Sequence, residues 1–157
     1  SPYIYPSEDR MVKENLTAYY FSYFFKWSML ENYEYVKEKM PSFKNNPSGR
    51  TEGTFTDFDS LDDKIDNLYY YMQYIKFGFG RATRDACRMI QNNQMTRDKG
   101  IELARKYDSE FPENNFNEVL EYLGINNEKF AEIVNKHRNN EIWKSSRNNK
   151  WELTNSI

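Results

Sequence analysis

Basic side chains gather around one glycine-containing junction, KFGFGR, at residues 76–81. Lys76 opens this junction, and Arg81, Arg84 and Arg88 follow at spacings of three and four, which places the three arginines on one side of a helix. A helix that begins after the second glycine would add free backbone N–H groups to these charges. That combination binds phosphate oxygens, so the spacing predicts a local anion site.

Two interpretations of the arginine stripe stay open. The first is the phosphate site, and the second is an ion-paired helix surface on which Asp85 reaches both Arg81 and Arg88. Such pairs are common and are worth only about 0.3–0.5 kcal/mol each. Upstream, Glu52 lies in a polar loop between two possible hinge positions, which makes it a candidate substrate contact.

Other catalytic chemistry has little support in the sequence. His137 is the only histidine and lies in the apolar stripe of a late helix, which favours a structural role over a catalytic triad. Cys87 is the only cysteine, so we expect a buried side chain and neither a disulfide nor a metal site. KFGFGR joins two helices and lacks a Gly-Lys-Ser/Thr ending, so it matches neither a dinucleotide nor a P-loop fingerprint. Catalytic residues remain unassigned.

Length and charge set the frame. The chain has 157 residues, enough for one domain that buries roughly 68–70% of its unfolded surface. Its formal net charge is −2, so the chain as a whole lacks the excess of positive charge that is typical of nucleic-acid-binding proteins. The sequence shows neither an 18-residue apolar run nor a signal peptide, so we expect a cytoplasmic protein without a membrane partner.

The first third of the chain mixes element types. Residues 17–25, TAYYFSYFF, are rich in aromatic residues and predict a strand whose sheet partners would lie upstream of Ser1. Ser7 caps a short helix before it, and residues 29–40 predict a helix that a proline ends. A polar loop follows at residues 41–58.

The rest of the chain predicts helices, so the fold class is mainly α, bundle-like, with one or two short strands. Ser60 caps a long central helix, and Thr96 and Asn126 cap later ones. Gly124 ends the helix between them. The apolar positions of the central helix recur at steps of three and four: Leu61, Ile65, Leu68, Met72, Ile75 and Phe79. Residues 141–157 predict a hairpin or an extended tail.

Two segments carry a family resemblance, EGTFTDFDSLDDKID and IKFGFGRATRDA. With the flanking sequence, nearly the whole chain resembles the C-terminal part of the bacterial N-acetyl sugar amidotransferases. These enzymes belong to the PP-loop ATP pyrophosphatase superfamily and act in the synthesis of lipopolysaccharide or flagellar sugars of the nonulosonate type.

The resemblance implies a reaction and a set of partners. ATP with Mg²⁺ would adenylate an acetamido oxygen of a nucleotide-activated sugar, and ammonia from a glutaminase subunit would displace AMP to leave an acetamidino group. Residues 1–58 would end an α/β nucleotide-binding domain, residues 59–140 would form a helical C-terminal region, and residues 141–157 the tail or hairpin.

The sequence departs from this family at one essential place. It contains no Ser-Gly-Gly-x-Asp-Ser type nucleotide-binding loop, so we expect the chain alone to be inactive. From position and charge, its contribution to a sugar or pyrophosphate cleft would come from Glu52, Thr54, Lys76, Arg81 and Arg84.

A different class of function remains as an alternative, a helical module for binding or homo-oligomerisation. The stretch RATRDACRMIQNNQMTRDKGIELARKY superficially resembles a helix-turn-helix with basic residues. Asp85, Asp98 and Glu102 interrupt that basic surface, which makes nucleic acid an unlikely partner.

Overall fold

The helices dominate the computed structural model, which describes residues 4–145 and 150–154. Within these residues there are seven α-helices and one two-stranded antiparallel sheet, so the predicted mainly α fold is confirmed. The helices are α1 Glu8–Lys13, α2 Met29–Lys39, α3 Asp66–Phe77, α4 Arg81–Gln91, α5 Arg97–Tyr107, α6 Phe116–Leu123 and α7 Asn127–His137. The strands are β1 Trp143–Ser145 and β2 Trp151–Leu153. No helix among the described residues is both long enough and apolar enough to span a bilayer.

Local capping explains where several helices start and stop. Ser7, Thr96 and Asn126 each accept a hydrogen bond from a backbone N–H in the first turn of the following helix, as the sequence predicts. Ser28 does the same for α2. Gly124 takes the left-handed conformation, with φ of 66°, and ends α6.

The strand predicted at residues 17–25 is wrong. This segment is irregular apart from a single-turn 3₁₀ helix, Phe21–Tyr23, and its rings are exposed. A strand needs a neighbour for its backbone N–H and C=O groups, and the only sheet among the described residues is the distant β1–β2 pair. Aromatic composition alone therefore does not make this segment a strand.

The predicted start of the central helix is also wrong. α3 begins at Asp66 rather than after Ser60, which has a positive φ of 55°. The backbone N–H of Ser60 donates to Asp59 Oδ1 at 2.9 Å, and that of Ile65 donates to Asp63 Oδ1 at 2.9 Å. These two aspartates hold turns here, as short acidic side chains commonly do, and the turns delay the helix.

The main core lies where α3 meets α6 and α7. Leu68 and Ile75 of α3 are buried, which confirms that the helix is central. They belong to one cluster of buried apolar side chains: Leu68, Ile75, Val119, Leu120, Phe130 and Val134. Half-buried aromatic and methionine side chains surround it, so rings fill much of the space that aliphatic residues fill in other cores.

Of the hairpin and the extended tail predicted for residues 141–157, the described residues show two short strands. β1 and β2 pair in antiparallel register with Trp143 opposite Leu153. The hairpin is fixed to α3 because the indole Nε1–H of Trp143 donates to the carbonyl of Ile75 at 2.7 Å. Residues 146–149, which separate the two strands in the sequence, and residues 155–157 lie outside the described part.

The start of α4 depends on a close approach between Gly80 and Asp108. The Asp108 carboxylate accepts a hydrogen bond from the backbone N–H of Thr83 at 2.9 Å and so caps the helix from outside. A Cβ on Gly80 would lie 2.8 Å from the carbonyl oxygen of Asp108 and 3.0 Å from its Cα.

We expect Gly80→Ala to lower the free energy of unfolding by about 1–3 kcal/mol, because the new methyl group meets backbone that must shift. Urea unfolding measures this change. Gly100→Ala is the matched control, since its Cβ would meet mainly the end of the Ile90 side chain, which can move. A Gly80→Ala protein as stable as the Gly100→Ala protein would contradict the prediction.

Candidate functional site

The loop between α2 and α3, residues 40–65, is folded tightly onto the start of α4. The backbone N–H of Thr51 donates to the carbonyl of Thr56 at 2.8 Å, which closes a turn around Gly53, whose φ is 79°. The carbonyl of Gly53 accepts from the backbone N–H of Ala82 at 3.1 Å. Three threonines of this loop are buried: Thr51, Thr54 and Thr56. The loop is therefore part of the packed structure.

Arg81, the first residue of α4, has a side chain that is 0% exposed. Its Nη2 lies 2.7 Å from Asp59 Oδ2 in the loop, and its Nε lies 3.4 Å from Asp85 Oδ2. The guanidinium also lies over the ring of Tyr70, with 4.5 Å between Cζ and the ring centroid. An arginine stays charged even when buried, so these contacts are what make its burial tolerable.

Asp85, one turn further along α4, connects the loop to two arginines. Its Oδ2 accepts a hydrogen bond from the hydroxyl of Thr54 at 2.7 Å, and its Oδ1 lies 3.4 Å from Nε of Arg84. The Asp85 side chain is itself 0% exposed. A single buried carboxylate thus satisfies a loop hydroxyl and balances buried positive charge.

Arg84 is the more exposed of the two arginines in this group, with 28% of its side chain exposed. It lies over the same Tyr70 ring at 4.7 Å. Burial acts to lower the pKa of Arg84, but its hydrogen bond to Tyr70 and the charge of Asp85 outweigh burial and raise it. We call Asp59, Tyr70, Arg81, Arg84 and Asp85 the arginine cluster.

The arginine cluster keeps unused hydrogen-bond donors. Among the described residues, neither Nη1 nor Nη2 of Arg81 has a hydrogen-bond acceptor, although both atoms are buried. The 2.7 Å contact with Asp59 is an ion pair by distance, but the N–H groups do not point at that oxygen well enough for a hydrogen bond. An oxygen of a carboxylate or phosphate could take these donors by displacing Asp59, whose side chain is 38% exposed.

A family model described as "LPS biosynthesis protein WbpG-like, C-terminal domain" matches residues 52–157, which is more than half of the chain. The chain belongs to this family. It therefore contains the C-terminal region of a lipopolysaccharide biosynthesis protein, and we call the matched residues the family domain. The arginine cluster lies entirely inside the family domain. A comparison with curated proteins gave no match.

The structure brings together three of the six predicted site residues. Thr54, Arg81 and Arg84 all contact Asp85. Glu52 lies beside them in the loop, but its two oxygens accept from Asn67 Nδ2 and from a backbone N–H, each at 3.1 Å. Those contacts link the loop to α3 and to the segment before α6. A substrate contact for Glu52 stays a prediction.

Lys76 and Arg88 lie away from the arginine cluster. Lys76 is six residues after Tyr70 on α3, about 120° around the helix at 3.6 residues per turn. It lines a separate groove between α3 and α7. Arg88 is exposed and contacts Met29, with 3.3 Å between Nη1 and Sδ. The arginine stripe is therefore one buried, one half-buried and one exposed residue.

Two side chains differ from the roles predicted for them. Cys87 is exposed, because the small side chains of Ala82 and Ala86 occupy the face of α4 that packs inward. Asp85 pairs with Arg81 and Arg84, whereas the sequence predicted Arg81 and Arg88. Among residues 4–145 and 150–154, no three His, Cys, Asp or Glu side chains come together as a metal site.

Sequence reasoning missed a second ion pair that holds the loop. Arg50 and Glu110 form a bidentate pair although 60 positions separate them. Glu110 Oε2 also accepts from the backbone N–H of Gly53 at 2.7 Å, and Arg50 lies 4.2 Å over the ring of Tyr107. Burial acts to raise the pKa of Glu110, but the hydrogen bonds from Arg50 and Gly53 outweigh burial and lower it.

The Glu110 pair predicts a pH dependence of stability. A carboxyl group whose pKa is lower in the folded state stabilises the fold above its unfolded pKa, here about 4.5, and loses that effect as pH falls through the folded pKa. Glu110→Gln should therefore be less stable than wild type at pH 7, and the difference should shrink toward pH 3. Urea unfolding across this range measures it. A difference that stays constant with pH would contradict the assignment.

The arginine cluster predicts a large cost for removing its central charge. Asp85→Asn keeps the shape of the side chain but leaves buried Arg81 with one carboxylate, so we expect unfolding free energy to fall by about 3–5 kcal/mol. Glu132→Gln removes an exposed carboxylate paired with Lys129 and should change nothing measurable. Equal stability of the two variants in urea would show that Asp85 does not stabilise the cluster.

Proposed function

We propose that this chain is the C-terminal region of an ATP-dependent amidotransferase of surface-glycan synthesis. The enzyme would convert an N-acetyl group of a nucleotide-activated sugar of the nonulosonate type into an acetamidino group, with ammonia derived from glutamine. Two observations support this. The family domain is that of a lipopolysaccharide biosynthesis protein, and the segments EGTFTDFDSLDDKID and IKFGFGRATRDA resemble the N-acetyl sugar amidotransferases.

The observation that carries the proposal is that four of the five residues of the arginine cluster lie inside those two segments. Asp59 belongs to the first segment, and Arg81, Arg84 and Asp85 belong to the second. The two most family-like stretches of the chain thus meet at one buried cationic group with acceptor-free nitrogens. Residues that bind an acidic substrate need such donors, because a carboxylate or phosphate offers only acceptors.

The described residues do not fit ATP or Mg²⁺ by themselves. The sequence has no Ser-Gly-Gly-x-Asp-Ser loop for the phosphates, and the described part has no cluster of acidic ligands for a metal ion. We therefore assign the nucleotide chemistry and the glutaminase contact to other parts of the protein. In this proposal the chain binds and orients the sugar, and Arg84, the half-buried arginine of the cluster, contacts the acidic group of the sugar.

The test uses the complete protein that contains this chain, a nucleotide-activated N-acetyl sugar acid, ATP and either glutamine with the glutaminase or ammonium. We expect AMP to form and mass spectrometry to show the replacement of one oxygen by NH. Arg84→Met should raise KM about tenfold, since losing one charge-assisted contact costs about 1.4 kcal/mol. Arg97→Met, an exposed arginine at the start of α5, is the control and should leave KM unchanged.

Two outcomes would contradict this function. An unmodified sugar in the presence of active glutaminase or ammonium would exclude amidotransfer, and an unchanged KM in Arg84→Met would exclude the arginine cluster as the sugar contact. The alternative that then gains support is an association module. The segment before α2 exposes several large rings, of which Tyr20 and Tyr23 are 87% and 80% exposed, and light scattering would detect self-association.

The nucleic-acid form of that alternative has little structural support. The helix-turn-helix interpretation needs the arginines of α4 on the surface, where they could reach phosphates. Arg81 is fully buried and Arg84 is largely covered by Tyr70 and Asp85. Two of the three arginines of α4 are therefore engaged in contacts inside the protein.

A further inference from the structure

A groove of about 580 Å³ lies between α3 and α7. This volume is within the range of small-molecule sites, roughly 300–1,000 Å³. The side chains that line it include three aromatic rings, one amide, one ammonium group and one imidazole: Tyr69, Phe77, Phe79, Gln73, Lys76 and His137. None of these residues belongs to the arginine cluster.

Helical spacing explains why the α3 residues share this groove. Tyr69, Gln73 and Lys76 are separated by four and three positions, so they lie on one face of the helix. Phe77 and Phe79 follow at the bend after α3, with ring centroids 6.1 Å apart. Tyr69 is 64% exposed and Phe77 is 57% exposed, so solvent reaches both side chains, and the Lys76 ammonium lies over the Phe77 ring with 5.5 Å between Nζ and the centroid.

The charged side chain that lines the groove, Lys76, is positive. The residues that line it include no carboxylate. Within the described part of the chain, neither Lys76 nor His137 forms an ion pair or a hydrogen bond, whereas Lys64, Lys99 and Lys129 all pair with glutamates. An ammonium that has no carboxylate partner, in a groove that an imidazole also lines, favours an anionic ligand.

Two contacts at the end of α3 reduce the repulsion that this helix end would exert on an anion. Free carbonyls at a helix C-terminus carry partial negative charge and would repel an anion. Here the carbonyl of Tyr74 accepts from the backbone N–H of Gly78 at 2.8 Å. The carbonyl of Ile75 accepts from the Trp143 indole at 2.7 Å, so both carbonyls are already engaged.

We propose that the α3–α7 groove binds a nucleoside phosphate. The Lys76 ammonium contacts the phosphate, the base stacks on the exposed rings of Tyr69 and Phe77, and the Gln73 amide and His137 imidazole hydrogen-bond the sugar or base. Stacking of a base on an aromatic side chain is worth about 1–3 kcal/mol, and a lysine serves as a point charge for phosphate. The ligand class rests on the groove alone; only its interpretation as the nucleotide half of an activated sugar rests on the proposed function.

Calorimetric titration of the chain with uridine monophosphate and adenosine monophosphate tests this site directly. Uridine and inorganic phosphate are the two partial ligands. We expect at least one nucleotide to bind more than tenfold more tightly than either partial ligand, because the site uses both ring stacking and charge. The two nucleotides distinguish an activated-sugar nucleotide from a free adenine nucleotide as the source.

Three variants assign the contacts. Lys76→Met should weaken nucleotide binding at least fivefold and leave uridine unchanged, and Tyr69→Ala should weaken both. Both side chains are largely exposed, so the fold should tolerate the changes. Lys106→Met on α5 is the matched control, because each of the two lysines lies over the ring of the residue that follows it. The distance from Nζ to the ring centroid is 5.1 Å for Lys106 and Tyr107 and 5.5 Å for Lys76 and Phe77. This control should bind nucleotide as wild type does.

Absence of binding at millimolar nucleotide, or binding that Lys76→Met leaves unchanged, would overturn the proposal. So would inorganic phosphate that binds as tightly as the nucleotides. The titration involves no amidotransfer, so a negative activity assay would leave a positive titration standing. Conversely, a negative titration together with a modified sugar would retain the enzyme and exclude only this groove.

Discussion

A fully buried guanidinium, that of Arg81, sets the arrangement of three segments of the chain. Transfer of one ion from water to a protein interior costs several kcal/mol, and arginine cannot avoid that cost by losing its proton. Asp85 from α4, Asp59 from the α2–α3 loop and the ring of Tyr70 from α3 offset it together. The loop therefore cannot leave α4 without exposing an unbalanced charge, which explains why a polar, glycine-containing segment is packed rather than free.

The parts of the fold that the sequence predicts are those whose partners lie within one helical turn. Thr96 and Asn126 cap their helices through backbone groups three positions away, and Gly124 ends α6 through its own dihedral angles. The contacts of the loop are different, because Asp59 meets a partner 22 positions away and Arg50 meets Glu110 at 60. No local sequence pattern predicts pairs that are so far apart in the chain. Spacing along a single helix also misleads, because it suggested Arg88 as a partner for Asp85 where the structure has Arg84.

The wrong predictions share one physical cause. The aromatic run at residues 17–25 has strand composition, and Ser60 with Asp63 has capping composition, but each outcome is decided by neighbours that a propensity does not include. The run has no strand beside it among the described residues, and the Ser60 turn is fixed by Asp59, which also pairs with Arg81. The first of the two turns before α3 is thus connected to the buried arginine through Asp59, whereas Asp63 holds the second turn.

Helix α3 connects the two surfaces on which the proposals rest. Its Leu68 and Ile75 side chains are held in the core, so the helix cannot rotate to exchange one face for another. Tyr70 on one face holds the arginines, and Lys76, about 120° away at 3.6 residues per turn, belongs to the groove. An anion that entered the arginine cluster would have to replace Asp59, the more exposed of its two carboxylates, and Asp59 is also the residue that fixes the turn before α3. Occupation of the cluster and the conformation of the α2–α3 loop are therefore linked, since a ligand that binds better when Asp59 is displaced favours the displaced loop by that same difference in free energy.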